Sequence, residues 1–492
     1  MPVPHTPQRS APPENRMSPL ASGPHGQDTL RPLLDTVLDA LGAGAAARGG
    51  PLPAGGPAEV AARLREALGD PLPDDGDEHA LHTLVHALAA GAADPAHPLC
   101  TAHLHCPPLA VAAAADLAAS VLNPSLDSWD QAPAASELEA LVTRALAHEV
   151  YPPDGDTTPA LRAPAAQAPV TPDALVTTGG TESNQLALLL AREKHGHVQL
   201  VQAEGAHHSL HRATWLLGLP EPVTVPAPAG TMDIAALDQA LTALTGPPGS
   251  LLVAATAGTT DAGLIDPLPE IADLCELHGA RLHIDAAYGG GLLLSDRHRP
   301  RLDGLARAHT VTLDLHKLGW QPVAAGILAV RDRDDLTALG HHADYLNADD
   351  DTEAGLPDLL GRSLRTSRRP DILKIAVTLK ALGRRGLGAL VDQVCARAAE
   401  LAELIDHHPH LDLYDHPTIS TVLFRPTGAT DDTVAAVRRT LLTEGRAVLG
   451  RARPDGRLWL KATLLDPHTG PGDLAALLHL VELATVEGHT AR

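Results

Sequence analysis

Aromatic residues make up only 2% of the 492-residue chain, with a single Phe. Burial must therefore come from Ala, Leu and Val, and a hydrophobic content of 44% is enough for a sizeable core. Cysteine is equally scarce, at Cys100, Cys106, Cys275 and Cys395. So few in so long a chain exclude a disulfide framework and point to a reducing, cytoplasmic setting. Basic charge is short as well: 37 Lys and Arg stand against 60 Asp and Glu, a net charge of −23. That excludes a general nucleic-acid or anionic-membrane binder, because both need a basic face. No uninterrupted apolar run is long enough to span a bilayer. Residues 1–27, rich in Pro, Ser and Gly, lack the apolar stretch of a secretory signal and read as a disordered tail. Lysine occurs only as Lys194, Lys317, Lys374, Lys380 and Lys461.

Helical spacing of Leu and Val marks 29–41, followed by a Gly/Pro/Ala-rich linker over 42–57 and short helices at 59–68 and 79–88. Cys100, His103, His105 and Cys106 lie close together, but their spacing does not fit a zinc module. No metal is expected, and Pro107-Pro108 makes the segment a loop lining a pocket, with an Ala-rich helix over 109–121 after it. A further helix runs over 136–149, where Ser136 and Glu139 fit a capping box. From 171 onward, apolar runs at 174–177, 198–202, 222–225, 250–256, 281–284, 309–313 and 325–330 alternate with helical patterns. Such alternation predicts an α/β fold with a mostly parallel central sheet covered by helices on both faces. After a helix over 371–382, the chain mixes helices with strands near 411–413, 421–424 and 458–462, a small C-terminal α+β domain. The expected division is a tail (1–27), an N-terminal helical segment (28–100), a large domain (101–390) and the small domain (391–492).

Four strand ends carry polar residues. Thr177-Thr178-Gly179-Gly180-Thr181 follows a strand and opens a helix, where glycines admit an anion to free N–H groups. Ala206-His207-His208 brings an imidazole to a second strand end, able to stack on a ring or shuttle a proton. His283-Ile284-Asp285-Ala286-Ala287 ends a third strand in a carboxylate that needs a cationic partner. Asp314-Leu315-His316-Lys317 ends the fourth in an amine that can form a Schiff base with an aldehyde. Singly, each has an ordinary alternative: a Gly turn, a polar helix start, a capping Asp or a surface lysine. Together they describe a phosphate cradle, a stacking His, a partner for a pyridinium nitrogen and a Schiff-base lysine. That set fits pyridoxal phosphate, whose protonated ring acts as an electron sink.

On these motifs the chain resembles the group II pyridoxal-phosphate-dependent decarboxylases, of the aspartate-aminotransferase fold type (fold type I), over roughly residues 100–390. The resemblance implies that Lys317 binds the cofactor aldehyde, Asp285 pairs with the ring nitrogen, His207 stacks on the ring and Ala287 lies beneath it. It places Gly180, Thr181 and His316 near the phosphate and Thr260 near the cofactor. It implies a homodimer with the site at the subunit interface and N-terminal helices that clasp the partner.

The stretches around His105-Cys106-Pro107-Pro108, Asn123–Pro133, Trp320-Gln321-Pro322 and Asp344-Tyr345-Leu346-Asn347 resemble a narrower group. These are bacterial decarboxylases of diaminobutyrate, ornithine and lysine that serve polyamine and siderophore pathways. That likeness implies a basic amino-acid substrate, with His105 and Asp127 as substrate-binding candidates. One departure accompanies it: the family's loop Tyr, which returns a proton to the substrate, aligns with Leu359. Loss of that Tyr leaves open an oxygen-dependent, aldehyde-forming deaminase or an aminotransferase on the same fold and, more distantly, a non-catalytic cofactor-binding regulator.

Overall fold

The computed structural model describes residues 19–153 and 170–490, with 488–490 described only by their backbone. Residues 1–18 of the expected tail lie outside the described residues. Five helices come first: α1 (Gly26–Arg48), α2 (Gly56–Leu68), α3 (Ala80–Gly91), α4 (Ala110–Leu122) and α5 (Pro133–Val150). The first overruns the expected linker, because Ala43 and Ala45–Ala47 are strong helix formers, and it stops only at Gly49 in the left-handed region.

The expected capping box is also corrected. Helix α5 begins earlier, with Pro133 in its first turn, where a missing N–H costs nothing. Ser136 is therefore inside the helix, and its hydroxyl donates to the Ala132 carbonyl at 2.6 Å. Glu139 instead takes a bidentate pair from Arg368 at 2.9 and 2.9 Å, with side chains only 5% and 2% exposed. Removing one partner of such a buried pair strands the other charge. Glu139→Ala should cost about 3–5 kcal/mol, read as a lower urea midpoint.

The large sheet holds β1 (Asp173–Thr177), β2 (Gln199–Ala203), β3 (Val223–Val225), β4 (Leu251–Thr256), β5 (Arg281–Ala286), β6 (Thr310–Asp314) and β7 (Gly326–Val330). Their order is β1-β7-β6-β5-β4-β2-β3. Only β7 runs against its neighbours, so the other six strands point one way. Every residue of β4, β5, β6 and β7 is buried, as expected for strands covered on both faces, and this is why they read as continuous apolar runs. The interleaved helices are α6 (Gly180–His195), α7 (His208–Leu217), α8 (Ile234–Ala243) and α9 (Leu268–His278). Gly326 opens β7 where a Cβ would sit 2.4 Å from Thr177 Oγ1 and 2.5 Å from the Gly179 backbone. That glycine lets β7 slide between β1 and β6.

Beyond the sheet come α10 (Asp349–Glu353) and α11 (Ile372–Asp406), which breaks at Gly383 (φ 64°), just past the helix expected over 371–382. A second, antiparallel sheet has the order β10-β11-β9-β8, from β8 (Leu411–Leu413), β9 (Thr421–Pro426), β10 (Gly450–Ala452) and β11 (Trp459–Thr463). It packs on the later part of α11 with α12 (Asp431–Thr443) and α13 (Pro471–Thr490) around Leu401, Phe424, Val437 and Leu460. Strand β10, Gly-Arg-Ala, has too little pattern to be visible in the sequence. No helix among the described residues is long and apolar enough to cross a membrane.

Candidate active site

Because six strands of the large sheet are parallel, their C-terminal ends form one edge, and ligands of open α/β sheets bind beyond that edge. A cavity of about 380 Å³ lies there. Gly180, Thr181, His207, Thr260, Asp285, Ala287, His316 and Lys317 all line it. They arrive from the ends of five strands that lie far apart in the sequence.

The turn after β1 reaches Gly179 with φ 154°, a conformation that L side chains rarely adopt. A Cβ on Gly179 would lie 3.0 Å from the His316 ring, and one on Gly180 would lie 3.0 Å from the Ala287 Cβ and 3.2 Å from Asp314 Oδ2. Both glycines thus keep open a floor that any side chain would fill. The first turn of α6 adds N–H groups without intrahelical partners, the geometry that receives a phosphate. Glu182 in that turn is engaged elsewhere, accepting from the Thr178 N–H at 2.6 Å and hydroxyl at 2.7 Å.

After β6, Lys317 Nζ pairs with Asp314 Oδ2 at 3.0 Å. The Asp314 carboxylate is buried, and its Oδ1 has no hydrogen-bond partner among the described residues. His316 Nδ1 accepts from the Ala325 N–H at 3.4 Å, so the ring proton sits on Nε2, 3.5 Å from Asp314 Oδ2. Burial holds His316 below the ordinary imidazole range, against the opposing charge of Asp314. Cys106 and Cys100 diverge: the Cys106 thiol approaches the His316 carbonyl at 3.1 Å, while Cys100 bridges to Val448.

At the end of β5, Asp285 Oδ1 accepts from the Ala287 N–H at 3.1 Å and Oδ2 from Asn184 Nδ2 at 2.7 Å. His207 caps α7, and its Nδ1 accepts the Ser209 N–H at 3.3 Å. That leaves Nε2 as the protonated ring nitrogen. Burial lowers the His207 pKa, with Asp285 opposing, so the ring is neutral near neutral pH. Across the cavity, Lys461 Nζ donates to the Thr260 carbonyl at 3.0 Å, so the second sheet steadies that loop.

Two substrate-binding candidates are not brought to this cavity. Asp127 is buried in its own chain and accepts from Gln131 Nε2 at 2.7 Å, and the cavity wall is formed by Leu104 rather than by His105. Leu359 is buried too, and it lines a second cavity of about 290 Å³ with Trp129 and Glu139. The tyrosine of that region, Tyr345, is 81% exposed.

Residues 63–427 match the pyridoxal-dependent decarboxylase conserved domain. The chain belongs to the pyridoxal-dependent decarboxylase family. Its cofactor is pyridoxal phosphate, and the glycine floor, the helix N-terminus and the amine at Lys317 fit that group. Among relatives, the chain is 40% identical over 445 residues to an L-2,4-diaminobutyrate decarboxylase of Rhizobium meliloti (strain 1021), covering 86% of this chain and 84% of that protein. It is 31% identical over 407 residues to an L-2,4-diaminobutyrate decarboxylase of Acinetobacter baumannii, covering 75% and 76%. Among solved structures, it matches the glutamate decarboxylase domain of diaminobutyrate-pyruvate transaminase and L-2,4-diaminobutyrate decarboxylase from Vibrio parahaemolyticus. There the TM-score is 0.80 at 30% identity, over 95% of this chain and 98% of that one. These matches confirm the fold-type-I architecture expected from the motifs.

The cavity sits on a buried polar layer that the sequence pattern concealed. Asn184, Ser209 and His283 are all fully buried behind Asp285. The visible signal was polar residues at inward strand positions, His283 in β5 and Thr310 and Thr312 in β6. Burial drives the His283 pKa down, against the charge of Asp285. Below about pH 6.5 the unfolded chain gains a proton at this residue that the folded chain refuses. Stability is therefore fully present above that pH. It is lost on acidification at up to about 1.4 kcal/mol per pH unit, until the folded-state value is reached. Urea midpoints measured from about pH 8 to about pH 5 should fall on the acid side, and His283→Gln should flatten the fall.

Proposed function

We propose that this enzyme removes the α-carboxyl group of a basic L-amino acid, with L-2,4-diaminobutyrate the preferred substrate. Loss of that carboxyl leaves 1,3-diaminopropane and carbon dioxide. The observation that carries the reading is the meeting of Lys317, Asp285 and His207 on one cavity with the Gly179–Thr181 turn. Two relatives named as diaminobutyrate decarboxylases support the substrate.

Gly180, Thr181 and His316 would hold the cofactor's phosphate, Asp285 its ring nitrogen, and His207 and Ala287 its two faces, with Thr260 at its edge and Lys317 as the covalent anchor. When bound, pyridoxal phosphate supplies an electron sink for the charge left at the α-carbon as carbon dioxide departs. The chain's own residues do the rest. Asp285, fixed by two N–H donors, holds negative charge at the end of β5. His207 presents Nε2–H to the cavity and can orient the departing carboxylate. Lys317 Nζ, 3.0 Å from Asp314 Oδ2, is an amine on the cavity wall that can carry a proton.

The assembly is a homodimer whose N-terminal helices clasp the partner. Exposed Leu33, Leu38 and Leu41 on α1 and Leu64 and Leu68 on α2 supply apolar surface for that clasp. Asp127 would meet the substrate's side-chain ammonium from a second copy, since within its own chain it does not reach the cavity. If Asp127→Asn kept its preference for basic over neutral amino acids, that role would be excluded. The substrate is tested by kcat/KM for diaminobutyrate, ornithine and lysine. The reading predicts the highest value for diaminobutyrate and is overturned if either longer homologue exceeds it.

A further inference from the structure

Behind the cavity, one side chain makes four hydrogen bonds. Asn184, in the second turn of α6 and fully buried, donates from Nδ2 to Asp285 Oδ2 at 2.7 Å and to Ser209 Oγ at 2.9 Å. Its Oδ1 accepts from His283 Nε2 at 3.0 Å and from the Thr312 hydroxyl at 2.8 Å. A primary amide offers two donors and two acceptor sites, so its capacity is fully used. The orientation of the amide follows from chemistry. An ionised carboxylate only accepts, so the group facing Asp285 must be the NH₂.

That orientation fixes the protons around it. His283 must carry its proton on Nε2, and its Nδ1 then accepts from the Thr310 hydroxyl at 2.9 Å. Ser209 Oγ accepts from Asn184, which turns its own proton toward His207 Nδ1 at 2.8 Å. His207 Nδ1 already accepts the Ser209 N–H, so both bonds keep that nitrogen unprotonated. The donors therefore run in one direction, from Thr310 through His283 to Asn184, and from there along two arms to Asp285 and His207. Chains aligned in this way polarise one another, and a fully satisfied buried network specifies one geometry.

We propose that Asn184 is a positioning residue of this site: one amide ties the Asp285 carboxylate to the His207 imidazole and sets the direction of the hydrogen bonds that reach both. The inference rests on Asp285 and His207 being the two groups that meet the cofactor ring, as proposed above. A buried apolar residue would fill the same volume, but it would leave Asp285 Oδ2 without this N–H donor and free the Ser209 hydroxyl to turn away from His207.

Asn184→Asp tests it with almost no change of shape. The variant places a carboxylate oxygen where the amide nitrogen stood, 2.7 Å from Asp285 Oδ2. Two carboxylates that close repel one another, so at the higher pH Asp285 loses its N–H donor and faces a second negative charge. On acidification the pair takes up one shared proton that restores a donor between them. Two readouts follow, both on the full-length chain. The first is the affinity of the stripped protein for pyridoxal phosphate, by fluorescence titration. The second is the titration midpoint of His207, by NMR of histidine-labelled protein. Asp285, His208, Lys317 and Asp314 are the charged and titratable groups around His207, and none of them is substituted in the variant.

Asn184→Asp should weaken cofactor binding about tenfold or more near about pH 8. The deficit should shrink to less than about threefold near about pH 6, where added protons restore a donor. The His207 midpoint should rise, because the Ser209 hydroxyl turns to the new carboxylate. Ser209→Ala should raise the same midpoint without the pH-dependent loss of cofactor. Thr312→Val, which leaves both amide N–H bonds in place, should weaken cofactor binding less than about threefold. Wild-type cofactor affinity in Asn184→Asp with an unmoved His207 midpoint overturns the inference. So does a pH-independent loss that Thr312→Val matches. A shifted His207 midpoint with wild-type cofactor affinity at both pH values upholds the coupling and overturns instead the pairing of Asp285 with the ring.

Discussion

Lys317→Ala is expected to lose turnover by a factor on the order of 10⁴ or more and, in the same protein, the visible absorbance of lysine-bound pyridoxal. No other lysine can substitute. Lys374 is buried between Asp116 and Asp371, and Lys461 is held on the Thr260 carbonyl. Lys380 is exposed on α11 and provides the control, so Lys380→Ala should retain both properties. A third readout is specific to this structure. Removing Lys317 strands the buried Asp314 carboxylate, whose Oδ2 loses its partner at 3.0 Å. The thermal midpoint of the cofactor-free variant should drop, and Asp314→Asn in the same background should restore it, because a neutral amide does not need the ammonium. Loss of activity with retained absorbance would contradict the role assigned to Lys317.

Asp285→Asn is expected to cut kcat about 10²–10³-fold with KM changed less than about threefold. The substitution keeps shape and removes charge. The new amide can still accept from Asn184 or from the Ala287 N–H, so the layer behind it survives. With Asp285 at the ring nitrogen as proposed, what is lost is a fixed negative charge where electron density must be drawn into the cofactor ring. Such preorganised charge acts on the transition state more than on binding, which is why kcat should bear the loss. Equal losses in kcat/KM through KM alone would assign Asp285 to substrate binding instead.

Much of this architecture was legible because strands covered on both faces must be apolar throughout. Runs such as Leu251–Thr256 stand out against the amphipathic helices between them. Polar residues placed at the ends of those runs, Asp285 and Lys317 above all, had to meet because parallel strands share one edge. Local signals with a competing explanation misled. Ser136 and Glu139 have the spacing of a capping box, but Pro133 starts the helix earlier and a distant Arg368 claims the glutamate. Alanine-rich sequence after residue 42 read as a linker, although its helix propensity carries α1 on to Arg48. Asn184 follows the Thr177–Thr181 turn by three residues. Its role depends on His283, Ser209 and Thr312, whose proximity only the folded sheet creates. Leu359 aligns with a loop tyrosine by position, yet packing takes it into a different cavity.

The most direct test of the central claim is a mass-spectrometric product assay with purified protein, pyridoxal phosphate and L-2,4-diaminobutyrate, run in air and without oxygen. The account predicts 1,3-diaminopropane and carbon dioxide in equal amounts in both atmospheres. An aldehyde formed only in air, or transfer of the amino group without release of carbon dioxide, would contradict it.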